Sequence, residues 1–151
     1  MVLPLVAVAL AVAACVPRQH DLGSAAKLPV GEPVFKEYKG ANLYVLRGAD
    51  GDVTVFWGMS PFEPERAGKI RCFIQDRRDH TVRGETRPFV DPCRSAWWSR
   101  DGHFLGYTND PADAPSSGPD LVHIPAQVRD GRVVIDEARL RCLQTQGCSG
   151  E

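Results

Sequence analysis

Phe89-Val90-Asp91-Pro92-Cys93-Arg94-Ser95-Ala96-Trp97-Trp98-Ser99-Arg100-Asp101-Gly102 is the stretch of this 151-residue chain from which its fold is read. Neighbouring residues of a strand face opposite sides of a sheet, so Trp97 and Trp98 cannot both enter the same core. One of them therefore faces outward beside Arg94 and Arg100, either exposed or covered by a neighbouring loop. Tryptophan with arginine is the mixture that interface centres favour.

Strand signals dominate on either side. Asn42–Arg47 and Val53–Trp57 are rich in β-branched and aromatic residues, and Gly48-Ala49-Asp50-Gly51-Asp52 between them reads as a hairpin. Val128-Arg129 and Arg132–Ile135 flank Asp130-Gly131, a two-residue turn whose central positions need positive φ. The alternation across Arg132–Ile135 is imperfect, so this last strand is expected to be buried on both faces. With 14 glycines and 12 prolines there is little room for long helices; only Asp136–Gln144 has a helical pattern. The expected class is all-β. Net charge is −1 with no basic run among aromatics, which excludes the electrostatic footprint of a nucleic-acid binder.

Taken together these segments resemble the Rieske [2Fe–2S] domain family. The quoted stretch matches that family's second box, Cys-Pro-Cys-His-Gly-Ser with an aromatic and a late glycine, at Pro92, Cys93, Trp98 and Gly102. Asp91 stands at the ligand Cys and Arg94 at the ligand His. In the first box, Cys-x-His-x-Gly-Cys, the segment Ala67-Gly68-Lys69-Ile70-Arg71-Cys72 puts Ala67 and Lys69 at the ligand positions. A Rieske centre takes two cysteines and two histidines, and all four are replaced. The resemblance runs from Val30 to Asp136 and includes Val128-Arg129-Asp130-Gly131-Arg132-Val133-Val134-Ile135-Asp136, similar to the family's closing strands. It implies small antiparallel sheets with a loop-rich, degenerate cluster-binding subdomain. It also implies a structural disulfide between Cys72 and Cys93, with Trp98 facing inward and Trp97 outward. A pair between Asp91 and either Arg94 or Lys69 is expected to clasp the loops at a solvent-exposed tip, contributing about 0–1 kcal/mol.

Val2–Ala14 is apolar and uncharged, too short to span a bilayer, and fits a signal-peptide core. Val12-Ala13-Ala14-Cys15 resembles a bacterial lipoprotein signal, which implies lipid on Cys15. No Lys or Arg precedes the run, so the natural start is expected upstream. Five cysteines are odd for an exported protein. With Cys15 lipidated, Cys72–Cys93 and Cys142–Cys148 both close in an oxidising compartment. By chain entropy they contribute about 3 and 2 kcal/mol. The expected layout is a signal segment over 1–15, a flexible linker over 16–29 reaching about 40 Å, a β domain over 30–137, and a tail with a short disulfide loop over 138–151.

His80, His103 and His123 lack any Cys-x-His or His-x-x-x-His spacing and read as ordinary surface or hydrogen-bonded histidines. Asp76–Asp79 and Glu63–Arg66 read as solvated loop charges. No nucleophile–base or paired-carboxylate arrangement stands out, so no catalytic residue is assigned. The sequence reading is an exported, lipid-anchored domain without cofactor or resident metal, held on the periplasmic or extracellular face. It acts as a binding or structural module, an accessory subunit of a membrane electron-transport complex, through Trp97, Arg94 and Arg100. The alternative is an electron-transfer protein that holds a [2Fe–2S] cluster or another metal through unconventional ligands.

Overall fold

The structure, a computed structural model, describes residues 18–62, 72–108 and 117–145. Strand β1 (Gln19–Ser24) runs into a single 3-10 turn (Ala25–Lys27), followed by β2 (Val34–Tyr38), β3 (Ala41–Arg47) and β4 (Val53–Trp57). Six short strands come next: β5 (Gln75–Asp76), β6 (Thr81–Val82), β7 (Glu85–Thr86), β8 (Phe89–Asp91), β9 (Ala96–Trp98) and β10 (Phe104–Tyr107). Strands β11 (His123–Ile124), β12 (Ala126–Arg129) and β13 (Arg132–Asp136) then lead into helix α1 (Glu137–Thr145). They assemble as sheets of order β1-β13-β12, β11-β4-β3-β2 and β10-β9-β8-β5, with β6 and β7 pairing apart. The all-β class is as expected.

The sheet containing β3 and β4 is the middle layer. Ala41, Leu43, Val45, Val55 and Trp57 point from it into one core with Val133, Ile135, Ile124 and Leu140. The alternate residues Tyr44, Leu46 and Phe56 enter a second core with Phe89, Ala96, Trp98, Ile74 and Leu121. A strand buried on both faces carries apolar residues without alternation, which explains the run Leu43-Tyr44-Val45-Leu46. Between the second core and the loops, the buried Tyr44 hydroxyl donates to the Ile74 carbonyl at 2.9 Å.

The expected hairpin turn at Asp130-Gly131 is present, with φ of 48° and 73°. Strand β13 is central in its sheet yet one-sided, contrary to the expectation for it. Val133 and Ile135 are buried while Arg132 is exposed, because β1 and β12 flank it edge to edge and leave its other face open.

The linker expectation is corrected. Residues 19–24 form β1, paired antiparallel with β13 from Gln19–Asp136 to Ser24–Arg132. Ala25 and Leu28 are buried in the first core. Small residues suit a tether, but they also suit a strand whose hydrogen bonds come from a partner more than a hundred residues away. The tail is corrected likewise. Leu140 of α1 is 1% exposed within the first core, and Gln144 Nε2 donates to the Lys39 carbonyl at 2.9 Å. Helix α1 sits within a residue of the expected helical stretch.

Gly102 shows why the motif ends in glycine. Its φ is +86°, and a Cβ there would lie 2.6 Å from Phe56 Cε1. Both a side-chain-hostile backbone and a ring that cannot retreat oppose any substitution. Gly102→Ala is expected to cost about 2 kcal/mol in chemical denaturation.

Candidate functional site

The tip is built by β8, a tight turn and β9. Strand β8 ends at Asp91, which is fully buried. Its Oδ1 accepts from the Cys93 amide at 2.8 Å, so the carboxylate shapes the turn that Pro92 opens. Its other oxygen, Oδ2, is buried and has no hydrogen-bond partner among the described residues. Cys93 is bonded to Cys72 with a Cα–Cα separation of 6.1 Å, the pairing that the resemblance implied. The Cys72 carbonyl in turn accepts from the Ser60 amide at 2.9 Å, tying the tip to the loop after β4. Among the described residues, the Sγ atoms of Cys72 and Cys93 and an oxygen of Asp91 form the one grouping of metal-ligating types, all within 4.8 Å of one another. Cys142, on α1, is also disulfide-bonded, and its expected partner Cys148 lies outside the described residues.

The expected Asp91–Arg94 pair does not form. The Arg94 guanidinium lies over the Phe62 ring, 5.0 Å from its centroid, while Asp91 is withdrawn beneath the turn. A guanidinium stacks on an aromatic face at little desolvation cost, and the Asp91 carboxylate already serves the Cys93 amide. The clasp was expected at a solvent-exposed tip, but Asp91 has no exposed surface. Phe62 escaped the sequence reading because Ser60-Pro61-Phe62 carries no periodicity. Ala67 and Lys69 lie outside the described residues.

The [2Fe–2S] cluster of Rieske domains does not fit this donor set. At the two described ligand positions stand a buried carboxylate that accepts from the Cys93 amide and a guanidinium, which has no lone pair to give. Ala67 has no donor atom at all.

Trp98 is fully buried, and its Nε1 donates to the Pro119 carbonyl at 2.9 Å. Trp97 faces the other way, as the motif register implied, and is half-buried. Its ring stacks on His80 with centroids 5.7 Å apart, and its Nε1 donates to Thr108 Oγ1 at 2.8 Å. Arg100 is engaged within the fold: its Nη1 donates to the Gly31 carbonyl at 2.6 Å and its Nε is buried. The Asp76–Asp79 segment is only partly solvated. Asp76 keeps 10% of its side chain exposed and pairs with Arg78 and Arg87.

Among the described residues the histidines form no metal-ligating group, although His103 and His123 lie near one another. His80 contacts Asp79 at 3.0 Å, and His103 contacts Asp120 at 3.1 Å. His123 packs edge-on against Phe56 at 4.7 Å. Burial, helped by the nearby His103, lowers the His123 pKa below its ordinary 6.5. Burial, helped by Lys39, does the same to His20, which stacks on Tyr38. Both stay neutral in the fold while the unfolded chain takes up protons near 6.5. Stability is therefore present above pH 6.5 and lost as pH falls from there through the lower folded pKa values. The melting temperature is expected to drop between about pH 7.5 and 5.5, and the double variant His20→Gln, His123→Gln should flatten that limb.

No protein-family model matches the chain, and no curated protein matches it. Solved structures do. A quaternary ammonium Rieske monooxygenase in complex with L-carnitine superposes with a TM-score of 0.54 at 13% identity, over 78% of this chain and 31% of that one. The complex of oxygenase and ferredoxin in carbazole 1,9a-dioxygenase gives 0.53 at 16% identity, over 80% and 28%. The chain thus spans less than a third of either neighbour's length. The fold is Rieske-like, and its tip carries the Cys72–Cys93 disulfide in a changed ligand setting.

Proposed function

We propose that this protein is an exported, lipid-anchored Rieske-like domain that works without an iron–sulfur cluster, as a non-redox docking module of a membrane electron-transport complex. The observation that carries this reading is the tip: the supporting disulfide is kept while the described ligand positions hold Asp91 and Arg94. The solved neighbours include a complex between oxygenase and ferredoxin, and the docking role is extended to this chain by analogy alone. Here Trp97 on β9 and Arg94 on the turn before it set a half-buried indole and a cation close in sequence, a mixture common among binding hot spots. Arg100 is left out because it serves the Gly31 carbonyl.

Three measurements test the reading. Protein made under iron-replete, anaerobic conditions is expected to be colourless and free of iron and acid-labile sulfide. Stoichiometric iron and sulfide would overturn it. Cys15→Ser should release the domain from membranes, and Trp97→Ala and Arg94→Glu should each weaken co-purification with membrane proteins by about 2 kcal/mol. Retention of every partner by both variants would remove the tip as the docking surface.

A further inference from the structure

We propose that the tip is a redox-gated metal site: once the Cys72–Cys93 disulfide is reduced, both thiolates and the Asp91 carboxylate bind a divalent cation of the zinc type. Two independent observations carry it. The three donor atoms already lie within 4.8 Å of one another. Asp91 is fully buried, and among the described residues its Oδ2 has no hydrogen-bond partner to offset its desolvation. A carboxylate so placed is costly to keep beside a disulfide and well placed beside a cation. Its orientation is fixed, since Oδ1 accepts from the Cys93 amide at 2.8 Å. Such a bond to a ligating carboxylate is the support that metal sites use.

The steps balance. A thiolate of a dithiol reductant attacks one sulfur of the disulfide, and its second thiol resolves the mixed disulfide. The reductant leaves as its own disulfide, having supplied two electrons and two protons to Cys72 and Cys93. The cation then displaces both thiol protons and bonds to two thiolates and one carboxylate oxygen. Zinc–sulfur bonds of about 2.3 Å require the sulfurs to part to about 3.8 Å in a tetrahedron. Cys93 is exposed and Cys72 half-buried, so reductant and metal can both reach them. Three protein ligands leave a fourth position for water, the pattern of open rather than structural zinc sites. The cation replaces the lost covalent link between the two loops.

Cobalt(II) reports on this directly, because thiolate ligation gives a charge-transfer band and tetrahedral geometry gives intense visible bands. The full chain, reduced with a dithiol and freed of it anaerobically, is expected to take up a single equivalent of cobalt that zinc displaces. The oxidised chain should bind none. Asp91→Asn preserves the Cys93 hydrogen bond but weakens the ligand, and should lower affinity by about tenfold or more. Cys93→Ser should abolish the charge-transfer band, and Cys142→Ser should leave it intact. The idea is overturned if Asp91→Asn binds as tightly as the wild type or if Cys93→Ser keeps the band. Loss of the β-sheet circular dichroism signal on reduction with cobalt present overturns it as well. None of these outcomes bears on docking, and iron and sulfide analysis of the oxidised protein leaves this site untouched.

Discussion

Trp98→Ala is expected to destabilise the domain by about 3–5 kcal/mol. The indole is fully buried in the second core, 5.9 Å from the Phe62 ring and 5.8 Å from Phe104, both measured between centroids. Removing it opens a cavity among rings that are pinned by other contacts and cannot collapse into the space. It also strands the Pro119 carbonyl, which accepts the indole N–H at 2.9 Å. A domain of this size has about 5–15 kcal/mol in total, so the variant should sit near its folding limit. Trp98→Phe helps to separate the two contributions, since it removes the hydrogen bond while leaving a much smaller cavity than alanine does. The adjacent Trp97→Ala should cost about 1 kcal/mol or less, because that ring is half outside the core. Equal losses at the two positions in urea denaturation would contradict the inward–outward assignment.

Opening the Cys72–Cys93 bond should cost about 3 kcal/mol, the loop-closure entropy expected for a span of 21 residues. The loss falls on a part of the molecule with little else to hold it. The strands around the tip are two to four residues long, and they pair over too few residues to fix register alone. Cys93→Ser in the oxidised protein should lower the melting temperature, with the earliest amide exchange in β5, β8 and the turn after Asp91. The first core, built from β1, β3, β4 and β13, should keep its protection until global unfolding. Uniform loss of protection would mean that the tip and the first core unfold as one unit.

Much of the fold was legible because its longer strands announce themselves. Leu43–Leu46, Val53–Trp57 and the Asp130-Gly131 turn carry their structure in local chemistry, and the wide spacing of Cys72 and Cys93 became meaningful through Pro92, Trp98 and Gly102. Strand β1 was illegible because Gln19-His20-Asp21-Leu22-Gly23-Ser24 has neither alternation nor β-branched residues. Its structure is imposed by β13. Two-residue strands such as β5, β6 and β7 are too short for any period to show. At the site, the positions of Asp91 and Arg94 were readable but their partnership was not. Opposite charges close in sequence invite a salt bridge, yet a carboxylate used by a turn amide and a guanidinium with an aromatic face at hand have better alternatives.

Strand β1 also sets how closely the domain is held to anything that Cys15 is fastened to. From Cys15 to Gln19 a fully stretched chain covers about 14 Å, against the far longer leash that a linker ending at Pro29 would give. A lipid on Cys15 would hold the folded body nearly flush with the bilayer. The corner nearest the lipid would be the one where Gln19 pairs with Asp136 and the Glu137 amide donates to the Arg18 carbonyl. Standoff would then depend on the dimensions and tilt of the body itself, and a membrane partner would have to present its docking face within that shallow layer. Any pull transmitted through a lipid on Cys15 would load the β1–β13 ladder first, so the strand that shortens the leash would also bear its tension.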